Sequence, residues 1–301
     1  MLNKSFLINR VVNCLSKKEY RVLVTQGCFD IAARNEFMLL IKALINVDGL
    51  KREQALSLKA ISHFISAHPF IISLKNNREF LVNNVIYSRF ELPVVTPNTF
   101  ENIIEEEMVC IKSAKGRYTV EIDPLKLRKK RKELNLTLEE LSSRVGISKK
   151  ALYEIENKRV NPTLETVKNL EIALGIRLKS PYEFESIKPV YLKAKDEFQN
   201  RVSRELLRIG FDNSSVYSAP FEIIGREKSP LIAGLSKNTT KIKKEAGKVK
   251  NLSSIFFSQC IFVAKKCREK NIEGVPIFLE SELSEFDSAK EFRKVIGERA
   301  T

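Results

Sequence analysis

Residues 123–175 hold the stretch that most limits how this chain folds: DPLKLRKKRKELNLTLEELSSRVGISKKALYEIENKRVNPTLETVKNLEIALG. Gly146 stands where two helices must meet in a tight turn, a place that favours a residue able to take positive φ. Leu141, Val145, Ile147, Leu152 and Ile155 recur where two crossed helices bury their shared faces. Ser142 is small where those helices come closest. The local signals agree. Asp123 is a good N-cap ahead of Pro124, and Thr137 with Glu140 makes a capping box at the start of helix two. Ser148 caps helix three. Asn161, Pro162 and Thr163 open helix four, which buries Leu164, Val167, Leu170 and Leu174 and stops at Gly175. Caps, period and turn chemistry with one answer predict a helix-turn-helix inside a four-helix bundle.

The rest of the chain bounds what surrounds that bundle. Its 301 residues suffice for two or three domains, and 43% hydrophobic residues can bury real cores. A formal charge of +15 favours a polyanionic partner, nucleic acid or an anionic membrane surface, although a generally basic surface is also common. No apolar run reaches the roughly 18 residues of a membrane span; Lys42 interrupts the strongest candidate, Phe37 to Ile45. Arg10 breaks the only signal-peptide-like core. The cysteines (Cys14, Cys28, Cys110, Cys260, Cys267) are odd in number and none forms Cys-x-x-Cys. They read as free thiols in a reducing cytoplasm. His63 and His68 have no ligand partners at metal spacing, so no cofactor or metal is expected.

Five segments follow: an α/β domain over 1–108, a hairpin linker over 109–122 with its turn at Ser113–Gly116, the helix-turn-helix domain over 123–178, a linker over 179–192 and a second α/β domain over 193–301. The first region reads as helix, three strands, helix, two strands, helix, with strands at Tyr20–Thr25, Cys28–Ala33 and Phe37–Ile45. The last region repeats that order, with strands at Ser215–Ala219, Phe221–Arg226 and Leu231–Leu235. Phe29-Asp30-Ile31 followed by Arg34 matches Phe221-Glu222-Ile223 followed by Arg226, which suggests a diverged internal repeat. Small α/β domains also share such an order by chance.

The central segment resembles the Cro/cI-type helix-turn-helix family, often called XRE. The resemblance implies a reader of the DNA major groove, commonly dimeric on a two-fold operator. Helix three would be the recognition helix, over 148–158, with Ser148, Lys149, Lys150, Tyr153 and Asn157 on its outward face. Lys149 or Lys150 would donate to guanine N7 and O6, and Tyr153 would pack on a thymine methyl or reach a phosphate. Thr137 joins this DNA-contacting set. Arg128, Arg131 and Arg159 are candidates for phosphate contacts that set register. Two positions depart from the family's pattern. Leu138 stands where many members have Gln, and Lys158 stands where Gly usually follows the recognition helix. Glu154 adds an acid toward the groove side.

The first domain's order resembles the PD-(D/E)xK nuclease fold. That fold places an Asp on the second strand and an acid-x-Lys on the third, to hold Mg²⁺ and activate water. In CFDIAARNEFMLLIKAL, Asp30 and Lys42 match the outer positions, but Leu40 takes the place of the acid. In the last region Glu222 stands where Asp30 does, and Gly234 replaces the Lys. The expected architecture is α+β multidomain: a central all-α Cro/cI-like bundle flanked by two α/β domains resembling degenerate nuclease folds. Asp30 and Lys42 are then a vestigial site or an internal ion pair. CFDIAAR, LLIKALINVD and ELPVVTPNTFE ahead of the helix-turn-helix resemble an archaeal family of helix-turn-helix transcriptional regulators. The expected protein is a cytoplasmic, sequence-specific regulator binding double-stranded DNA as a homodimer, with no enzymatic activity and no membrane partner. A small effector is left open. The alternatives are a structure-specific nucleic-acid enzyme of the nuclease class and a non-specific architectural DNA-binding protein. The basic stretch Lys241–Lys250 is a further phosphate-contacting face or an ordinary solvated one.

Overall fold

A computed structural model describes residues 3–106, 111–114, 117–179, 182–184 and 187–300. They fall into two compact units, Met1–Ile71 with Phe184–Thr301, and Ile72–Glu183. Three consecutive domains were expected; instead both ends of the chain share one unit.

The first unit opens with α1 (Lys4–Lys17). The Asn3 side chain accepts from the Phe6 N–H at 2.8 Å and caps it. Leu7, Val11, Cys14 and Leu15, at helical spacing, bury one stripe. β1 (Arg21–Val24), β2 (Ile31–Arg34) and β3 (Met38–Asn46) follow as an antiparallel meander, with Arg21 opposite Arg34 and Ile31 opposite Ile41. α2 (Arg52–Ile65) comes next, then β4 (His68–Lys75), along which the chain leaves this unit after Ile71.

In the second unit, β5 (Val85–Arg89), β6 (Leu92–Val95) and α3 (Pro97–Ile104) precede β7 (Ile111–Ala114) and β8 (Arg117–Val120). β5 pairs with both β6 and β7, so partners distant in sequence hold a short run that carries little signal of its own. β7 and β8 form the expected hairpin, Ile111 opposite Val120. Its turn residues Lys115 and Gly116, and Val109 and Cys110 ahead of it, lie outside the described residues, as do Ser180, Pro181, Glu185 and Ser186 of the expected linker. The bundle is α4 (Pro124–Glu133), α5 (Leu138–Val145), α6 (Lys149–Glu156) and α7 (Leu164–Leu174). Leu127, Leu141, Leu152, Val167 and Leu170 make its centre.

The chain returns to the first unit. Leu192 N–H donates to Ser214 Oγ and the Tyr191 hydroxyl to Asp212 Oδ2, so the end of the expected linker is held against this region. Then come α8 (Glu197–Ile209), β9 (Asp212–Ser215), β10 (Ile223–Arg226), β11 (Pro230–Ser236), α9 (Thr239–Phe256), β12 (Gln259–Ala264), β13 (Asn271–Ile272), β14 (Val275–Leu279) and α10 (Ala289–Ala300). Their sheet runs β13-β14-β12-β11-β10-β9, with β11, β12 and β14 parallel. Val202, Leu206, Ile223, Leu235, Phe278 and Phe292 fill its core. The strand expected at Ser215–Ala219 lies earlier, at Asp212–Ser215, because Ser218 takes φ +56° and ends the extended run. From α1 to α3 and from α8 to α10 the order is the same: α-β-β-β-α-β-β-β-α.

Candidate nucleic-acid interface

α5 and α6 meet at Gly146, which takes φ +76° and caps α5. A Cβ there would touch nothing, so glycine serves the backbone conformation alone. Thr137 and Glu140 close the capping box from both sides, at 3.1 and 2.7 Å. The Thr137 N–H holds the Glu140 carboxyl below its usual range. Ser148 Oγ accepts from the Ala151 N–H at 3.1 Å and starts α6. The hydroxyls of Thr137 and Ser148 are thus engaged in caps, with the residues themselves on the surface.

On α6, Leu152 and Ile155 point into the bundle, while Lys149, Lys150 and Tyr153 are exposed, Tyr153 by 44%. Lys149 Nζ donates to Glu139 Oε2 at 3.2 Å, an exposed pair that a phosphate or base edge can compete for. The Asn157 side-chain amide donates to the Tyr153 carbonyl at 2.7 Å and closes the helix end. Arg159 lies 5.6 Å from the Tyr153 ring centroid and 3.3 Å from Glu154 Oε1. Glu154 is therefore turned to its own arginine. Arg128 is exposed on α4.

Arg131 departs from expectation. It is 8% exposed, with Nε and Nη2 forked onto Glu156 at 2.6 and 2.9 Å and Nη1 on the Leu136 carbonyl at 2.8 Å. Its donors face inward, so it ties α4 to α6 and does not meet a phosphate. Glu156 raises the Arg131 pKa further, mainly through the hydrogen bonds. The sequence reading missed this pair, although an Arg and a Glu at buried helical phase were a signal for it. The two family departures also resolve. Leu138 packs against the bundle core, and Lys158 keeps the left-handed corner at φ +57° without a glycine.

The second cluster lies in the first unit. Asp30 is 1% and Lys42 4% exposed. Asp30 Oδ1 takes Lys4 Nζ at 2.8 Å and Lys42 Nζ at 3.3 Å, and Oδ2 accepts from the Ala43 N–H at 2.9 Å. Lys42 also donates to the Gly27 carbonyl at 2.5 Å. Burial holds the Lys42 ammonium below the usual lysine range, with Asp30 opposing. Neighbouring Cys28 is wholly buried, which pushes its thiol up to about 12. The equivalent place near β10 has the same wiring. Glu222 Oε2 accepts from the Leu235 N–H at 2.6 Å and Oε1 from Lys241 Nζ at 2.6 Å. A side chain at Gly234 would run into the Phe262 ring, 2.2 Å from a built Cβ, which explains the missing lysine there. A Mg²⁺ site wants several carboxylate oxygens. Here one carboxylate is occupied on both oxygens, Leu40 is buried apolar, and ammonium groups stand where a cation would be. The residues do not fit the metal. Among the described residues no group of three His, Cys, Asp or Glu side chains is placed to hold one.

Comparison with known proteins adds two family matches: a PD-(D/E)XK superfamily domain over residues 4–109 and a Helix-turn-helix family over residues 127–179. A Methanothermobacter thermautotrophicus protein described as "Putative HTH-type transcriptional regulatory protein" is 33% identical, covering 92% of this chain and 90% of its own length. Similarly described proteins of Methanobrevibacter smithii, 28% identical over 99% of each chain, and Pyrococcus abyssi, 30% identical over 97% of this chain and 95% of its own, are also similar. A chain from the solved SinR protein/SinI protein complex is 25% identical over 18% of this chain and 53% of its own, with a TM-score of 0.18, too low to carry a structural comparison. Among the described residues no helix is long and apolar enough to cross a membrane.

Proposed function

This chain belongs to the archaeal family of HTH-type transcriptional regulatory proteins, and we propose that it binds duplex DNA as a homodimer with α6 in the major groove. The observation that carries the reading is the split of α6: Leu152 and Ile155 inward, Lys149, Lys150 and Tyr153 outward beside the helix N-terminus. Lysines at those positions match guanine acceptors, and Tyr153 matches a thymine methyl or a phosphate. Ser148, Thr137 and Asn157 present polar backbone and side-chain edges around them. Arg128 and Arg159 supply phosphate contacts that set register. The segments 1–108, 123–178 and 193–301 divide the work, the central one reading DNA and the outer two, diverged copies of one ancestor, serving other contacts in the cytoplasm. A nuclease-superfamily domain is present. Its Asp30–Lys42 pair is a structural remnant, and the protein is a regulator without nuclease activity.

The test is selection of bound fragments from a random duplex pool at near-physiological salt. An enriched two-fold motif supports the dimeric regulator and gives its half-site spacing. Binding without enrichment would favour an architectural protein instead.

A further inference from the structure

A cavity of about 1050 Å³ opens in the first unit beside Asp30, walled by α1, the β1–β2 loop, residues 218–220 and α9. Its polar chemistry comes from few side chains. Lys4 and Lys248 bring ammonium groups, Glu245 a carboxylate, and Asn251 an amide, while Leu252 helps form an apolar side.

The floor of this cavity is positive. Both oxygens of Asp30 are engaged, and two ammonium groups, Lys4 and the buried Lys42, share its single negative charge. Lys248 adds a third cation at the wall. Cations therefore outnumber carboxylates, which favours an anionic guest. Glu245 supplies the opposite requirement. Its Oε2 is shielded from solvent and has no hydrogen-bond partner among the described residues, the Lys241 ammonium standing 3.7 Å away. A shielded acceptor without a donor is costly, and an N–H or O–H of a guest would satisfy it. The guest needs an anionic end, a donor end and an apolar face, and the volume is at the upper end for small-molecule sites.

We propose that this cavity binds a free nucleoside phosphate, its phosphate against Lys4 and Lys248 and a base or ribose donor on Glu245. Its role as an effector rests on the DNA-binding reading above; the binding itself does not.

The full-length chain is titrated by calorimetry with AMP, ATP, GMP and GTP, with inorganic phosphate for comparison. The expected result is saturable binding of at least one nucleotide, much tighter than inorganic phosphate. Lys248→Gln and Glu245→Gln each weaken it about tenfold or more. Lys248 is exposed, so its replacement leaves the core intact, and an unchanged melting temperature of the unliganded variant verifies that. Failure of all four nucleotides to bind overturns the proposal. So does binding that both variants leave unchanged, or displacement of the nucleotide by a single-stranded oligonucleotide of higher affinity. A chain that binds nucleotide yet enriches no duplex motif would remove the regulator reading and leave the cavity assignment standing. The converse result would remove only the cavity assignment.

Discussion

Lys149 and Tyr153 are exposed on the same helix, yet they bind different things in the free protein: Lys149 an exposed glutamate, Tyr153 the edge of Arg159. Neither contact is strong enough to keep DNA away. Replacing both by alanine should abolish discrimination between duplex sequences while leaving weak binding that falls steeply with salt, as competition assays across a salt series would measure. Discrimination equal to the parent would take α6 out of the groove. Arg131 gives the contrasting case, since a buried fork to Glu156 makes it part of the fold. Arg131→Ala should cost about 3 kcal/mol or more in urea unfolding, because it leaves a buried carboxylate unpaired. The double variant Arg131→Met with Glu156→Leu should recover most of that loss. Sequence alone places both residues on helices. It could not separate a surface arginine from this one, because the run from Lys126 to Lys132 is basic at nearly every position.

Among the elements, the bundle was legible because its signals are local. Thr137, Glu140, Ser148, Thr163 and Gly175 cap the helices the sequence marked, and each cap uses atoms within a few residues. The corners at Gly146 and Lys158 make a matched pair, since both take positive φ and only one is glycine. Gly146→Ala should destabilise the protein by about 1 kcal/mol, through backbone strain alone. Lys158→Gly should leave it unchanged or stabilise it by up to about 1 kcal/mol, because the strain of a side chain at that corner is removed. Thermal melts of the two variants shifting in the same direction would contradict this account. β5 and β13 were not legible. Val85–Arg89 has partners on both sides, and Asn271–Ile272 pairs only with β14, so pairing across the sheet, not local pattern, makes them strands.

For the whole molecule, the two α/β stretches share one order of elements and one wiring of their acids, Asp30 to the Ala43 N–H and Glu222 to the Leu235 N–H. Incubation with Mg²⁺ or Mn²⁺ and duplex, branched or single-stranded DNA should give no cleavage product. Product that vanishes in Asp30→Ala would reverse the reading of this region as inactive. The sequence by itself determined the helix-turn-helix, the order of strands and helices on either side of it, and the match of Asp30 with Glu222, because caps, turns and periodicity act over a few residues. Only the tertiary structure decided that the two ends of the chain share one unit, that Arg131 faces inward, and that ammonium groups from Lys4 and Lys42 converge on Asp30. Those outcomes depend on burial and on partners 12 to 26 residues apart or more, which no local pattern encodes.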